Sequence, residues 1–308
     1  MSARRVLAID AGQSGIKVRP AAASGGDLLF PGIRTGEPLL PQLAAVVAET
    51  ATRTGAPADV VVAGISGLTD ANADADALLA LTAAQGVRGV VLAHDSTTSF
   101  LGALGDRRGA VVAAGTGVVT LAVGAETTAR VDGWGWIMGD AGSGYWIGRE
   151  ALDAVMRAYD GRGPTTELTA AVSDRWPDLS QAYMSLQADP DRVRVVASYA
   201  AVVARAADAG DAVAQDISVR AAHELAQSVR AAIAQVRSDE ESFPVCAIGG
   251  VFGSTPLREA FADDLHAGDE SVRLVAPVGV GIDGVMALAD LDESHPLAAV
   301  THHAGVIR

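Results

Sequence analysis

Residues Arg108-Gly109-Ala110-Val111-Val112-Ala113-Ala114-Gly115-Thr116-Gly117-Val118-Val119-Thr120-Leu121-Ala122-Val123 read as two short strands joined by a tight turn. Val111, Val112, Val119, Leu121 and Val123 supply the β-branched and apolar bulk that strands favour. Gly115 and Gly117 are expected to provide positive-φ and close-approach positions. Thr116 between them offers a hydroxyl and an exposed amide. Consecutive backbone N–H groups at such a turn form a concavity suited to an anion. A plain hairpin is the alternative.

The same design occurs near the start of the chain. Val6-Leu7-Ala8-Ile9 runs into Asp10, a polar turn Ala11-Gly12-Gln13-Ser14-Gly15 follows, and Ile16-Lys17-Val18-Arg19 leaves. Two strand–turn–strand units suggest a duplicated fold with nucleotide phosphates lying between the turns. Lys17 is the chain's lysine, all other cations of the Lys and Arg set being arginines. Strand alternation leaves it facing either the site or solvent, and solvent is the expected side.

The 308 residues suffice for two domains and a sizeable core. Hydrophobic residues make up 49%, yet no apolar run approaches the ~20 residues of a membrane span. Met1 to Arg5 lead directly into a strand, which leaves no room for a signal peptide and points to a cytoplasmic protein. A single cysteine, Cys246, excludes an internal disulfide and a Cys-rich metal site. A net charge of −14 disfavours nucleic acid and anionic membranes as partners. Positive potential for a polyanion must then come from backbone amides, a helix N-terminus or a divalent cation.

Along the chain, Ala21 to Gly36 is loop-rich, and 39–53 has helical spacing ended by Gly55 and Pro57. Val60 to Ile65 reads as a buried parallel strand with Ser66 at its carboxyl end, where ligands gather in α/β sheets. Ser66 is therefore either a ligand contact or a turn serine. The strand Val87 to Leu92 leads to Ala93-His94-Asp95-Ser96. Ser96 is expected to cap the helix through Phe100 and Leu104. Asp95 beside it can share the capping or act as general base for a hydroxyl. His94 reads as a core histidine.

Asp132-Gly133-Trp134-Gly135-Trp136-Ile137-Met138-Gly139-Asp140-Ala141-Gly142-Ser143 holds bulky aromatics among glycines, so it is expected to fold against something. Ser143 then opens a helix to about Tyr159. From 165 to 237 the pattern is almost wholly helical, with Ile217, Ala221, Leu225, Val229 and Ile233 forming one core stripe. Gly210 is a helix cap or a place where a flat base approaches the backbone. Pro244 to Ile248 forms a strand ending in Gly249-Gly250. Gly279 to Ala289 is a glycine-rich helix start that permits close helix contact. His295, His302 and His303 read as surface residues.

The order of these pieces resembles the actin-like ATPase and sugar-kinase superfamily. Ile9 to Ser14 and Ala114 to Gly117 look like its two phosphate motifs, and Ile248 to Phe252 its adenosine motif. The helices from Asp95 and from Gly279 look like the connecting helices. Gly133-Trp134-Gly135 with Met138-Gly139-Asp140-Ala141-Gly142-Ser143 and Tyr145-Trp146-Ile147-Gly148 is similar to the N-acetylglucosamine kinase branch of the BadF/BadG/BcrA/BcrD ATPase family. Gln13-Ser14 stands where members commonly carry threonine, Val118 where serine is frequent, and Gly32 to Glu37 contains no asparagine.

The resemblance implies an α/β, two-domain actin-like (duplicated ribonuclease H-like) fold with a cleft between lobes. The expected lobes are 1–105 joined by 292–308, and 106–291 with a helical insertion. It implies an ATP-dependent kinase of the 6-hydroxyl of an amino sugar, with N-acetylglucosamine first and glucosamine or another hexose as alternatives. Asp95 would be the base and, with Ser66, Gly133, Trp134, Gly135 and Asp140, would hold the sugar. Asp10, Gly12, Gln13, Ser14, Gly115, Thr116, Gly117, Gly210, Gly249 and Gly250 would line ATP. Asp10 would meet Mg²⁺ through water. A homodimer is expected. A radical-dehydratase activator shares the fold but needs cysteines for an iron–sulfur cluster. A non-catalytic sugar or nucleotide sensor is the third reading, against which the intact Asp95, Asp140 and phosphate turns speak.

Overall fold

The computed structural model of the protein describes residues 4–20, 26–34, 36–238 and 242–307. Met1 to Ala3, Arg308 and part of the expected 21–36 loop (21–25 and Thr35) lie outside the described residues. The chain divides into two compact units. One comprises Met1–Arg108, Val123–Thr128 and Pro277–Arg308, the other Gly109–Ala122 and Ala129–Ala276.

The first unit opens with β1 (Val6–Ala11), β2 (Ile16–Arg19) and β3 (Leu28–Phe30). Then come α1 (Leu39–Thr54), β4 (Val60–Ile65), α2 (Ala75–Thr82), β5 (Gly89–His94) and α3 (Asp95–Leu104). The Val, Ile and Ala runs of β1, β4 and β5 are buried along nearly their whole length, as parallel strands covered on both faces require. Gly55 ends α1 in the left-handed conformation, φ 64°.

The second unit repeats the plan with β6 (Gly109–Ala114), β7 (Val118–Val123) and β8 (Thr128–Asp132). A helical block is inserted next: α4 (Gly135–Met138), α5 (Gly144–Tyr159), α6 (Leu168–Arg175), α7 (Leu179–Ala188), α8 (Arg192–Ser198), α9 (Ala200–Asp208) and α10 (Ala212–Val236). The unit closes with β9 (Phe243–Ile248), α11 (Thr255–Gly268) and β10 (Val272–Leu274). The chain then returns to the first unit as α12 (Gly281–Ala287) and β11 (Thr301–Gly305).

Strand order proves the duplication. The first sheet runs β11-β5-β4-β1-β2-β3 and the second β10-β9-β6-β7-β8, which is the same order without the added edge strand. In the first sheet β1, β4 and β5 are parallel, with β2 and β3 antiparallel beside them. In the second, β9 is parallel to β6 and to β10.

Residues 277–291, expected in the second lobe, group with the first because α12 packs against α3. The expected glycine contact is the reason. A Cβ at Gly284 would stand 1.8 Å from the Thr98 carbonyl oxygen, and one at Gly102 2.5 Å from that of Val280.

The stripe on α10 is core as expected. Ile217, Leu225, Val229 and Ile233 are buried against Phe243 and Phe261, each such side chain contributing about 1.5–3 kcal/mol on burial. Among the described residues, no helix is long and apolar enough to cross a membrane.

Candidate functional site

In the first unit, parallel β1, β4 and β5 bring their carboxyl ends to one sheet edge. Asp10 pairs in register with Gly64, which pairs with Ala93; one step further stand Ile65 and His94, then Ser66 and Asp95. The Ser66 amide donates to the Ala11 carbonyl at 2.9 Å, holding half-buried Ser66 beside the end of β1. The turn after β1 is closed by the Gly12 amide donating to the Gly15 carbonyl at 3.0 Å. Gly32 lies flat on it, since a Cβ there would stand 2.0 Å from the Gln13 carbonyl oxygen. Gln13 and Ser14 are left exposed at its tip.

Asp10 lies against α12, where a Cβ on Gly281 would come within 3.0 Å of its Oδ2. Burial pushes its carboxyl above the usual carboxylate range, the charge of Asp95 adds to this, and Lys17 pulls the other way. Lys17 was expected to face solvent. It is the register partner of Asp10 across β1 and β2 and half-buried, so both project from one face of the sheet.

The cap of α3 differs from expectation. Helix α3 starts at Asp95, and the residue before it, His94, is the N-cap in place of Ser96. The Ser96 amide donates to His94 Nδ1 at 3.1 Å, and the Ser96 hydroxyl lies 2.8 Å from the same nitrogen. Asp95 Oδ1 lies 2.9 Å from it as well. His94, read from the sequence as a core residue, is thus in contact with the candidate base.

In the second unit, Gly115 and Gly117 do not adopt the positive φ expected of them. The turn is held instead by the Gly115 amide donating to the Gly117 carbonyl at 2.8 Å. The close approach does occur at Gly117, where a Cβ would stand 2.6 Å from Asp140 Oδ2. The amides of Gly144 and Tyr145 donate to the carbonyls of Gly115 and Thr116 at 2.8 and 3.0 Å, docking the start of α5 on the turn. Ser143 caps α5 as expected, accepting from the Trp146 amide at 3.2 Å.

Asp140 is buried, with φ 57°, and accepts backbone N–H groups of Val118 and Gly135. Burial raises its pKa, the Asp132 charge raises it further, and those two amides hold it back. The aromatic loop does not fold against the protein as expected. Trp134 is 65% exposed, and Ile137 and Met138 more so. Trp136 meets the Tyr145 ring at 5.0 Å between centroids.

Gly249, φ 103°, ends β9 so close to β6 that a Cβ would lie 2.2 Å from the Ala114 carbonyl oxygen. Gly250, Gly115 and Thr116 border a cavity of about 550 Å³ within this unit. Its other walls come from α5, α8 to α10 and the start of α11, including Arg194, Ser218 and Ser254. The alanine-rich helices carried no chemical signal in sequence, although their small side chains are what leaves the space. Gly210 is not on the cavity wall. It is a left-handed turn residue, φ 93°, between α9 and α10, the cap reading of the two considered. Cys246 is fully buried in β9.

A duplicated α/β unit with glycine turns at equivalent strand ends, an aspartate ending β1 and another opening α3 defines the actin-like ATPase and sugar-kinase fold. Within that class, residues 34–278 match the BadF/BadG/BcrA/BcrD ATPase family, and the chain belongs to it. It is similar to the N-acetylmuramic acid/N-acetylglucosamine kinase of Clostridium acetobutylicum, 28% identical over 199 residues covering 61% of this chain and 62% of that one. It is 32% identical to the N-acetyl-D-glucosamine kinase of Dictyostelium discoideum over 154 residues, 48% of each chain. The matches thus span between about half and under two thirds of these relatives. A solved structure from Chromobacterium violaceum, described as a candidate N-acetylglucosamine kinase, superposes with a TM-score of 0.68 at 27% identity. That match covers 92% of this chain and 98% of the other.

Proposed function

We propose that the protein is a kinase transferring the γ-phosphoryl group of ATP to the 6-hydroxyl of an amino sugar, N-acetylglucosamine first among acceptors. The observation that carries the reading is Asp95. Its side chain is 32% exposed just past the carboxyl end of β5, two residues beyond the register level of Asp10. Phosphoryl transfer asks for positioning, charge neutralisation and one group to receive the hydroxyl proton. Asp95 supplies that group. Ser66 in the first unit, and Asp140 with the Gly133-Trp134-Gly135 turn in the second, are the candidate sugar contacts of each unit.

The cavity of the second unit fits a nucleoside. Its volume is about 550 Å³, and Ser254 on its wall has a buried hydroxyl without a hydrogen-bond partner among the described residues. Gly250 borders it with Gly115 and Thr116, and the Thr116 hydroxyl and amide suit a phosphate; the exposed Gln13-Ser14 tip of the first unit's turn is a second such candidate. Asp10 suits a magnesium ion held through water, because Mg²⁺ keeps several waters and needs only one or two carboxylates. Bound there, the ion would neutralise charge developing on the phosphoryl oxygens. Asp10 would orient the hydrated ion, and Lys17, its register partner across the hairpin, stands beside the carboxylate.

The names of the similar proteins favour N-acetylglucosamine or N-acetylmuramic acid over glucose. The activator reading fails on ligands, since the chain's one cysteine is buried in a strand. The test is ADP release with N-acetylglucosamine, glucosamine, glucose, N-acetylmannosamine and N-acetylmuramic acid, with mass-spectrometric detection of the sugar phosphate. ADP and sugar phosphate in equal amounts with an amino sugar are expected; turnover with none of the five would overturn the proposal.

A further inference from the structure

We infer that His94 is a positioning residue for the transfer step, sharing through Nδ1 the proton that Asp95 takes from the acceptor hydroxyl. This rests on the phosphotransferase reading above.

Three groups crowd one ring nitrogen. The Ser96 backbone N–H donates to Nδ1 at 3.1 Å, and the Ser96 Oγ lies at 2.8 Å. A backbone amide can only donate, so Nδ1 is an acceptor and the ring proton sits on Nε2. Asp95 Oδ1 at 2.9 Å is then a second acceptor facing an acceptor. Two lone pairs at that distance repel. A proton between them turns the contact into a hydrogen bond. The proton that completes it is the one Asp95 receives in the reaction.

The acceptor O–H breaks and its oxygen bonds the γ-phosphorus of the nucleoside triphosphate. The bond from that phosphorus to the bridging oxygen breaks, releasing the diphosphate. The proton settles on Asp95 Oδ1, hydrogen-bonded to Nδ1, and leaves to water afterwards. The His94 side chain is 20% exposed, so the site is partly shielded and such a bond counts for more than in water.

If the ring is protonated beforehand, Nδ1 donates to Asp95 and competes with the substrate hydroxyl. Other titratable groups on elements packed around β5 are few. Asp10 on β1 is raised by burial and by the charge of Asp95, and Lys17 on β2 opposes this. Asp76 on α2 is exposed. On β11, His302 faces Asp70 at 3.8 Å and His303 meets Thr301. Strand β4 carries no titratable side chain.

The test compares kcat and KM of the wild type and His94→Asn with ATP, magnesium and the best acceptor. Asparagine is a good N-cap and keeps an acceptor for the Ser96 amide. We expect kcat at pH 8 to fall about tenfold or more and KM to change little. An unchanged kcat overturns the inference while leaving the kinase reading intact. A wild type that phosphorylates no acceptor overturns both. Independently of the variant's folding, ¹⁵N NMR of the wild type at pH 8 should show Nδ1 without a proton. The His94 ring resonances should also move in Asp95→Asn, because Oδ1 lies 2.9 Å from Nδ1. A protonated Nδ1, or resonances blind to Asp95, overturns it as well.

Discussion

Asp132 holds Asp140 in place: its Oδ1 accepts the Asp140 backbone N–H at 2.8 Å. The same carboxylate accepts the amides of Gly133 at 2.8 Å and Ala141 at 3.2 Å. Both aspartates have positive φ, 61° and 57°, a conformation that costs non-glycine residues free energy and persists only when neighbours impose it. Gly139 makes room for this, since a Cβ there would meet Asp132 Oδ1 at 2.5 Å. One carboxylate thus fixes the turn that carries the other.

Replacing Asp132 with alanine should release that turn, with the loss of three charge-assisted hydrogen bonds. We expect the acceptor-sugar KM to rise tenfold or more, about 1.4 kcal/mol, and the KM for ATP to stay within about twofold. Initial-rate kinetics with each substrate varied in turn measure this. Equal changes in both constants would mean that Asp132 supports the whole unit and not the sugar side alone.

Asp95→Asn removes the proton acceptor but keeps size and polarity. Turnover should fall by roughly 10²–10⁴, the range for losing a general base. Nucleotide binding, followed by calorimetry or a fluorescent analogue, should be retained because the cavity lies in the other unit. Unchanged turnover would remove Asp95 from the mechanism.

The duplicated fold was legible because its turns are built from residues with one physical use. Asp10, Gly12 and Gly115 to Gly117 stand at strand ends in both halves, and Gly284 signalled a close helix crossing. The chemistry near Asp95 was not legible. Whether Ser96 or His94 caps α3 depends on where β5 stops, a boundary that periodicity leaves open by a residue or two. The direction of Lys17 depended on register with Asp10, which only the folded hairpin defines. The Trp134 to Met138 segment misled because hydrophobicity states a preference for burial without naming a partner. The cavity walls on α8 and α9 went unseen because alanine carries no functional group to notice.

The contact between Gly284 and Thr98 gives a stability prediction. With the Thr98 carbonyl oxygen 1.8 Å and the Gly102 nitrogen 2.4 Å from any added Cβ, Gly284→Ala must push α12 off α3. Overpacking of this kind costs about 1–3 kcal/mol, and backbone atoms on the far side leave little room for relief. The thermal midpoint should drop by several degrees. Gly250→Ala, where an added Cβ meets nothing within 4 Å, should not lower it and serves as control.

Asp10 should show the opposite sign in stability from its sign in activity. Its pKa is raised in the folded protein, first by burial and then by Asp95, with Lys17 opposing. A carboxyl raised on folding favours the native state while protonated and loses that contribution as pH climbs through its folded pKa. At neutral pH, therefore, ionised Asp10 weakens the fold. Asp10→Asn should raise the thermal midpoint at pH 7–8, and the gain should shrink as pH falls into the carboxylate range. Its magnesium-dependent turnover should be lost over the same neutral window. Differential scanning fluorimetry across pH, with activity assayed on the same samples, distinguishes this trade from a structural role. If Asp10→Asn lowers the midpoint at every pH, Asp10 is holding α12 in place, and its charge is not the reason it is there.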